Sequence, residues 1–134
     1  MSNFKIIKSD YKSTSHKHTA ECFINGNTTP HISDFYTQIA KDLHFPDYFG
    51  KNLDALNDCL NDLSWLEQNQ VHIVLTHYDK FLSSEPKDVR WNVLHILDES
   101  AKTWKDSTGT NKMKFDISVE HSDLFKQDLI DAGI

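Results

Sequence analysis

The chain has few of the residue groupings that mark enzymes or secreted scaffolds. Its 134 residues hold two cysteines, Cys22 and Cys59, and they show no CxxC spacing. A disulfide framework or a cysteine-ligated zinc site needs more thiols at closer intervals, and nothing here calls for an oxidising compartment. The four glycines, Gly26, Gly50, Gly109 and Gly133, are too scattered for a P-loop or a GxGxxG turn, both of which need clustered glycine to cradle phosphate. HExxH and GxSxG are also missing. No apolar run is long enough to span a membrane, and the opening "MSNFKIIKSDYKSTSHKH" lacks the hydrophobic centre of a signal peptide. A cytoplasmic protein is expected, without membrane or cofactor. Eight histidines are present, among them the His16/His18 pair, His72, His77 and His95. Their spacing matches no zinc or carboxylate site, so no metal is expected.

What is present suits a globular protein. Hydrophobic residues make up 38% and charged residues 25%, and the length fits one domain over residues 1–134. The net charge of −6 is uneven. Residues 42–67 carry Asp42, Asp47, Asp54, Asp58, Asp62 and Glu67 against Lys51 alone, so 1 − 6 gives −5. The first 21 residues carry Lys5, Lys8, Lys12 and Lys17 against Asp10 and Glu21, so 4 − 2 gives +2. An acidic patch repels nucleic acid and draws in cationic partners. The basic excess reads as a solvated segment.

Periodicity supplies the elements. "FKII" is a candidate short strand, and Cys22 to Ile24 a second one, closing at the Asn25–Gly26 turn. Phe35, Ile39 and Leu43 recur at helical spacing, with Ser33 suited to the N-cap and Pro46 to the stop. Leu53, Leu56, Leu60 and Leu63 form an apolar stripe in a second helix capped by Asn52. A buried strand is predicted from Val71, and a long helix follows with Ser84 as N-cap and Val89, Val93, Ile96, Leu97 and Trp104 on one face. Met113, Phe115, Ile117 and Val119 alternate as a strand, and "HSDLFKQDLIDAGI" closes the chain as a short helix. This order implies a parallel α/β sheet covered by helices.

The second helix poses a problem. Asp54, Asp58 and Asp62 stack at i, i+4 and i+8 opposite its leucines. Like charges so placed cost roughly 0.2–0.5 kcal/mol per pair. Asp54 is favoured by the helix dipole near the N-terminus, but Asp58 and Asp62 are not. Three readings of the stripe stand: an ordinary solvated face, an acid/base pair in Asp54 and Asp58, or an acidic binding surface. Acid/base work needs two carboxyls in different environments, which one helical face does not provide. Cys59, in the same helix, is expected to be a small buried hydrophobe.

Taken together, "FINGN", "HISDFYTQIAKDL" and "FPDYFGKNLDALNDCL" resemble the barstar family of ribonuclease inhibitors. Tyr48, Gly50, Asn52, Leu53, Asp54, Ala55, Leu56, Asp58, Cys59 and Leu60 carry the resemblance, and "VLHILDESAK" is similar to the family's last helix. The likeness covers about residues 22–119, leaving 1–21 and 120–134 as extensions. It implies a barstar-like fold with a small three-stranded parallel sheet, and a non-enzymatic protein that plugs the cationic active site of a ribonuclease. By position, Asp58 would take the place of a substrate phosphate and Asp54 would add a second carboxylate. Tyr48 would pack on the enzyme's catalytic base, Gly50 and Asn52 would supply loop contacts, and Glu99 would pair with a basic residue at the edge. Asn57 stands where the family has tryptophan, and Asn61–Asp62 where it has threonine–glycine. The expected partner is therefore a divergent basic, extracellular-type ribonuclease or an RNase toxin domain, bound 1:1, with this chain as its immunity protein. An acidic adaptor for a basic protein that is not a nuclease is the alternative on the same fold.

Overall fold

A computed structural model of the chain describes residues 3–8, 18–107 and 113–134. In chain order these form β1 (Phe4–Ile7), β2 (Thr19–Asn25), α1 (Ile32–Asp42), α2 (Leu53–Asp62), β3 (Gln70–Thr76), α3 (Lys87–Asp106), β4 (Lys114–Glu120) and α4 (Asp123–Asp131). Single 3-10 turns at Gly26–Thr28 and Tyr78–Lys80 follow β2 and β3. The sheet is wholly parallel, in the order β1-β4-β3-β2. It has four strands, where three were expected. The added one is "FKII", whose Phe4 pairs with Ile117 and Ile6 with Val119, so the chain's first strand widens the sheet at its β4 edge.

Register explains the core. Ala20, Val71 and Phe115 align in one row, Cys22, Ile73 and Ile117 in the next, and Ile24, Leu75 and Val119 in a third. Side chains alternate along a strand, so all nine point to one face. That face meets the apolar stripes of the helices: Phe35 and Ile39 of α1, Leu56 and Leu60 of α2, Val93 and Leu97 of α3, and Phe125 of α4. Each such side chain contributes about 1.5–3 kcal/mol on burial. Successive β2–β3 and β3–β4 crossovers of one hand put their helices on the same side. Residues of the opposite face include Glu21, His72 and Asp116 in one row.

Two helix starts differ from expectation. Helix α1 begins at Ile32, ahead of Ser33, because carboxylates serve its first amides: Asp34 accepts from the His31 N–H at 3.1 Å and Glu85 from the Ile32 N–H at 2.8 Å. Ser33 then falls in the first turn. At α3 the cap position is Pro86, not Ser84. The N–H groups of Leu82 and Ser84 are held by the carbonyls of Thr29 and Pro30 at 2.9 and 3.0 Å, and residues 81–84 form turns, with Leu82 at φ 53°, so Ser84 is taken up in that turn and the helix starts only after Pro86. Close approach also dictates one glycine, since a Cβ on Gly26 would overlap the carbonyl oxygen of His77.

The two ends of the chain pack together. Phe4 meets Phe125 edge-on at 5.4 Å between ring centroids. Asp128 of α4 is 2% exposed and accepts from the Tyr78 hydroxyl at 2.6 Å, Arg90 Nε at 2.8 Å, Arg90 Nη2 at 3.2 Å and Trp91 Nε1 at 3.1 Å. Burial alone would push this carboxyl up, but the bonds from Arg90, Tyr78 and Trp91 outweigh it and hold it below the usual carboxylate value.

Candidate functional site

The loop between α1 and α2 is built on aromatic rings. Phe45 and Phe49 pack edge-on at 4.9 Å, Phe49 meets Tyr36 at 5.8 Å, and Phe45 meets Trp65 at 5.9 Å. Such edge-to-face pairs add about 0.5–1.5 kcal/mol beyond area burial. Trp65 Nε1 donates to the Leu43 carbonyl at 3.0 Å, serving the end of α1. The loop is thus anchored at Phe45 and Phe49, and between them Asp47 and Tyr48 are exposed, the Tyr48 ring at 74%. An exposed ring on so well-anchored a loop contributes little to the fold.

Entry into α2 depends on Asn52. Its Oδ1 accepts from the Ala55 N–H at 2.8 Å, while its Nδ2 reaches back to the Gly50 carbonyl at 3.4 Å. A Cβ on Gly50 would lie 3.2 Å from that Nδ2, so glycine leaves room for the capping amide. Lys51, between them, is exposed and lies in left-handed backbone with φ 49°. The helix buries Leu56, Cys59 and Leu60, and exposes Asp54, Asp58, Asn61 and Asp62. Asn61 Nδ2 donates to Asn57 Oδ1 at 3.3 Å along the same face. Among the described residues, no cation lies within ion-pairing distance of Asp54, Asp58 or Asp62. Asp62 ends a helix whose last turn carries no basic residue, so the dipole disfavours it uncompensated. The stripe therefore costs stability and gains nothing within the chain.

The helix end is nonetheless well held. Leu63 turns into left-handed backbone at φ 54°, its N–H bonds the Cys59 carbonyl at 3.2 Å, and Trp104 Nε1 from α3 donates to the Leu60 carbonyl at 2.8 Å. Burial first, then the neighbouring Asp58 and Asp62 carboxylates, push the Cys59 thiol up, which makes it a poor nucleophile.

The residues singled out in the sequence are mostly brought together. Tyr48, Gly50, Asn52, Asp54, Asn57, Asp58 and Asn61 occupy one continuous loop and helix. Glu99 stands apart, exposed on α3, and among the described residues no hydrogen bond or ion pair joins it to that unit. Asp42 leaves the acidic patch altogether: its Oδ2 accepts from the Phe23 N–H at 3.0 Å and its Oδ1 from Gln38 at 2.9 Å, blunting the β2 edge. Sequence reading missed the aromatic base under Tyr48, although five residues of "FPDYF" with three rings in a loop were a signal for it. A cavity of about 660 Å³, lined by residues of β1, β4 and the end of α3, takes none of its lining from this loop or from α2. Of the histidines, His16 lies outside the described residues, His72 Nε2 meets Ser118 Oγ at 2.8 Å and His95 Nε2 meets the Ala132 carbonyl at 2.7 Å. Among the described residues no three His, Cys, Asp or Glu side chains could hold a metal, and no helix is long and apolar enough to cross a membrane.

The anchored loop presents a tyrosine, and the helix after it presents carboxylates that no cation pairs with among the described residues. Comparison with known proteins bears on the role of this surface. The chain matches the model of the family Barstar (barnase inhibitor) over residues 19–120. It is also 34% identical, over 86 residues, to a protein of Bacillus subtilis (strain 168) named "Putative ribonuclease inhibitor YrdF", an alignment covering 62% of this chain and 87% of that one. The family match spans β2 to β4 with the loop and α2 inside it, while β1 and α4 lie outside. The chain belongs to the Barstar (barnase inhibitor) family.

Proposed function

We propose that this protein inhibits a ribonuclease by inserting Asp54, Asp58 and the preceding Tyr48 loop into the enzyme's cationic cleft, and that it serves the producing cell as a cytoplasmic immunity protein. The observation that carries the reading is the exposed stripe of Asp54 and Asp58, which has no cation beside it among the described residues and works against the helix that bears it. A carboxylate desolvated against guanidinium and imidazolium donors forms charge-assisted bonds about twice as strong as neutral ones. The few tenths of a kcal/mol lost to like-charge repulsion in the free helix are then offset several times over on binding.

Within that reading Asp58 stands in for a substrate phosphate, and Asp54 supplies a second anion one turn earlier. Tyr48 packs against the catalytic base, held by the Phe45–Phe49 pair behind it. Gly50 and Asn52 present backbone and amide groups, and Asn57 and Asn61 offer a joined amide pair where the family has tryptophan and threonine. Glu99 meets a basic residue at the rim. The partner is a basic, extracellular-type ribonuclease or a toxin's RNase domain, bound one to one.

Capture from the source organism tests this. The wild-type chain and an Asp54→Ala/Asp58→Ala version serve as baits, and eluates are assayed on labelled RNA after denaturing release and refolding. Ribonuclease activity held only by the wild type, and suppressed when the inhibitor is added back, is the expected result. A partner held equally by both baits moves the interface off α2. A basic partner without nuclease activity favours the adaptor alternative.

A further inference from the structure

Lys51 is the one base in an acidic run, and it sits between Gly50 and Asn52 at the centre of the proposed contact surface. A cation pressed into a cationic cleft is repelled, and like charges juxtaposed across an interface are strongly unfavourable. Three observations make this lysine hard to dismiss as a side chain that swings clear. Its backbone is left-handed, at φ 49°, a conformation uncommon for lysine, and glycine occupies the neighbouring position instead. That conformation is pinned on both sides, since Asn52 caps Ala55 at 2.8 Å and reaches the Gly50 carbonyl at 3.4 Å. Finally, the side chain is exposed and, among the described residues, within 4.0 Å of no carboxylate, although Asp47 and Asp54 are close in sequence. The ammonium is left outward and unneutralised on a surface otherwise built of acids and amides.

We infer that Lys51 is a specificity residue, and that the cognate ribonuclease carries an acidic side chain opposite it at the edge of its cationic cleft. The inference rests on the reading of the surface as a ribonuclease inhibitor and names the chemistry of one point on the partner. Electrostatically, the surface is then a pattern of two signs. Asp54 and Asp58 match cations, and Lys51 matches an anion one turn before them. A ribonuclease with a basic residue at that place is rejected by repulsion, so one lysine separates the cognate enzyme from others that share a cationic active site.

The test uses the ribonuclease captured on the wild-type bait. Inhibition constants are measured for wild type, Lys51→Ala, Lys51→Glu and Asp58→Ala, alongside thermal midpoints. Lys51→Glu is expected to raise the inhibition constant by about tenfold or more, and more than Lys51→Ala, with the midpoint little changed. Zero-length carbodiimide coupling of the complex, read by mass spectrometry, is expected to join Lys51 to an Asp or Glu of the enzyme. A Lys51→Glu variant that binds as tightly as wild type or tighter, or a complex that couples elsewhere but not at Lys51, overturns the inference. An Asp58→Ala variant that inhibits as well as wild type, or a bait that retains no ribonuclease, instead overturns the reading beneath it.

Discussion

The indole nitrogen of Trp104 donates to the main-chain carbonyl of Leu60 at 2.8 Å, tying α3 to the last turn of the acidic helix. That turn ends in Asp62, which the helix dipole disfavours, and Trp104 satisfies one of the carbonyls left open there. Trp104→Phe keeps one aromatic ring and removes the donor together with the five-membered ring that bears it. It should destabilise the protein by at least about 1 kcal/mol, the contribution of a typical intramolecular bond. Denaturant unfolding measures it, and an unchanged midpoint would show that solvent serves the carbonyl equally well.

Charge removal on α2 should run the other way. Asp58→Ala relieves repulsion with both Asp54 and Asp62, so stability should hold steady or rise by roughly 0.2–1 kcal/mol. Asp62→Ala should also stabilise, by about 0.3–1 kcal/mol, because an anion leaves the negative end of the dipole. A clear loss of stability in either variant would mean that the carboxylate has a structural partner.

The cap is a different case. Asn52→Ala removes the acceptor for the Ala55 N–H and should cost about 0.5–2 kcal/mol. Tyr48→Ala, by contrast, should leave the midpoint nearly unchanged, since that ring is 74% exposed. Paired thermal melts separate the two, and a large destabilisation by Tyr48→Ala would contradict a purely external role.

Asp128 sets the acid limb of stability. Its carboxyl is held below its ordinary value in the folded protein by Arg90, Tyr78 and Trp91, against the opposing pull of burial. A depressed folded value means the contribution is complete above the unfolded carboxylate pKa of about 4 and is lost as pH falls through the folded one. Stability of the wild type should therefore drop more steeply below about pH 4 than that of Asp128→Asn. At neutral pH the substitution leaves Arg90 buried opposite a neutral group, and should cost about 3–5 kcal/mol. Equal acid slopes in the two proteins would exclude Asp128 as the cause.

Much of this was legible in the sequence, for reasons that particular residues make clear. Leucines spaced three and four apart specified α2, and alternating Met113, Phe115, Ile117 and Val119 specified β4, because burial on one face enforces a period. Asn52 was legible as a cap since the bond it makes is local. The missed features depend on distant partners. Glu85 displaces Ser33 as the group serving the start of α1, from 53 positions away in the chain. Asp42 reads as part of an acidic patch until Phe23 is seen beside it. "FKII" reads as a short candidate strand, and only pairing with Ile117 and Val119 makes it the fourth member of the sheet. Tyr48 and Phe49 are adjacent aromatics whose opposite fates follow from the cluster of Tyr36, Phe45 and Trp65.

The most direct measurement is the inhibition constant of wild type and of Asp58→Ala against the captured ribonuclease, at low and at physiological salt. Truncating one member of a desolvated charge pair should weaken inhibition by about 2–5 kcal/mol. Association of the wild type should also slow as salt rises, because the Debye length shrinks to about 8 Å at physiological ionic strength. Equal constants for the two proteins, with association insensitive to salt, would contradict inhibition through the acidic helix.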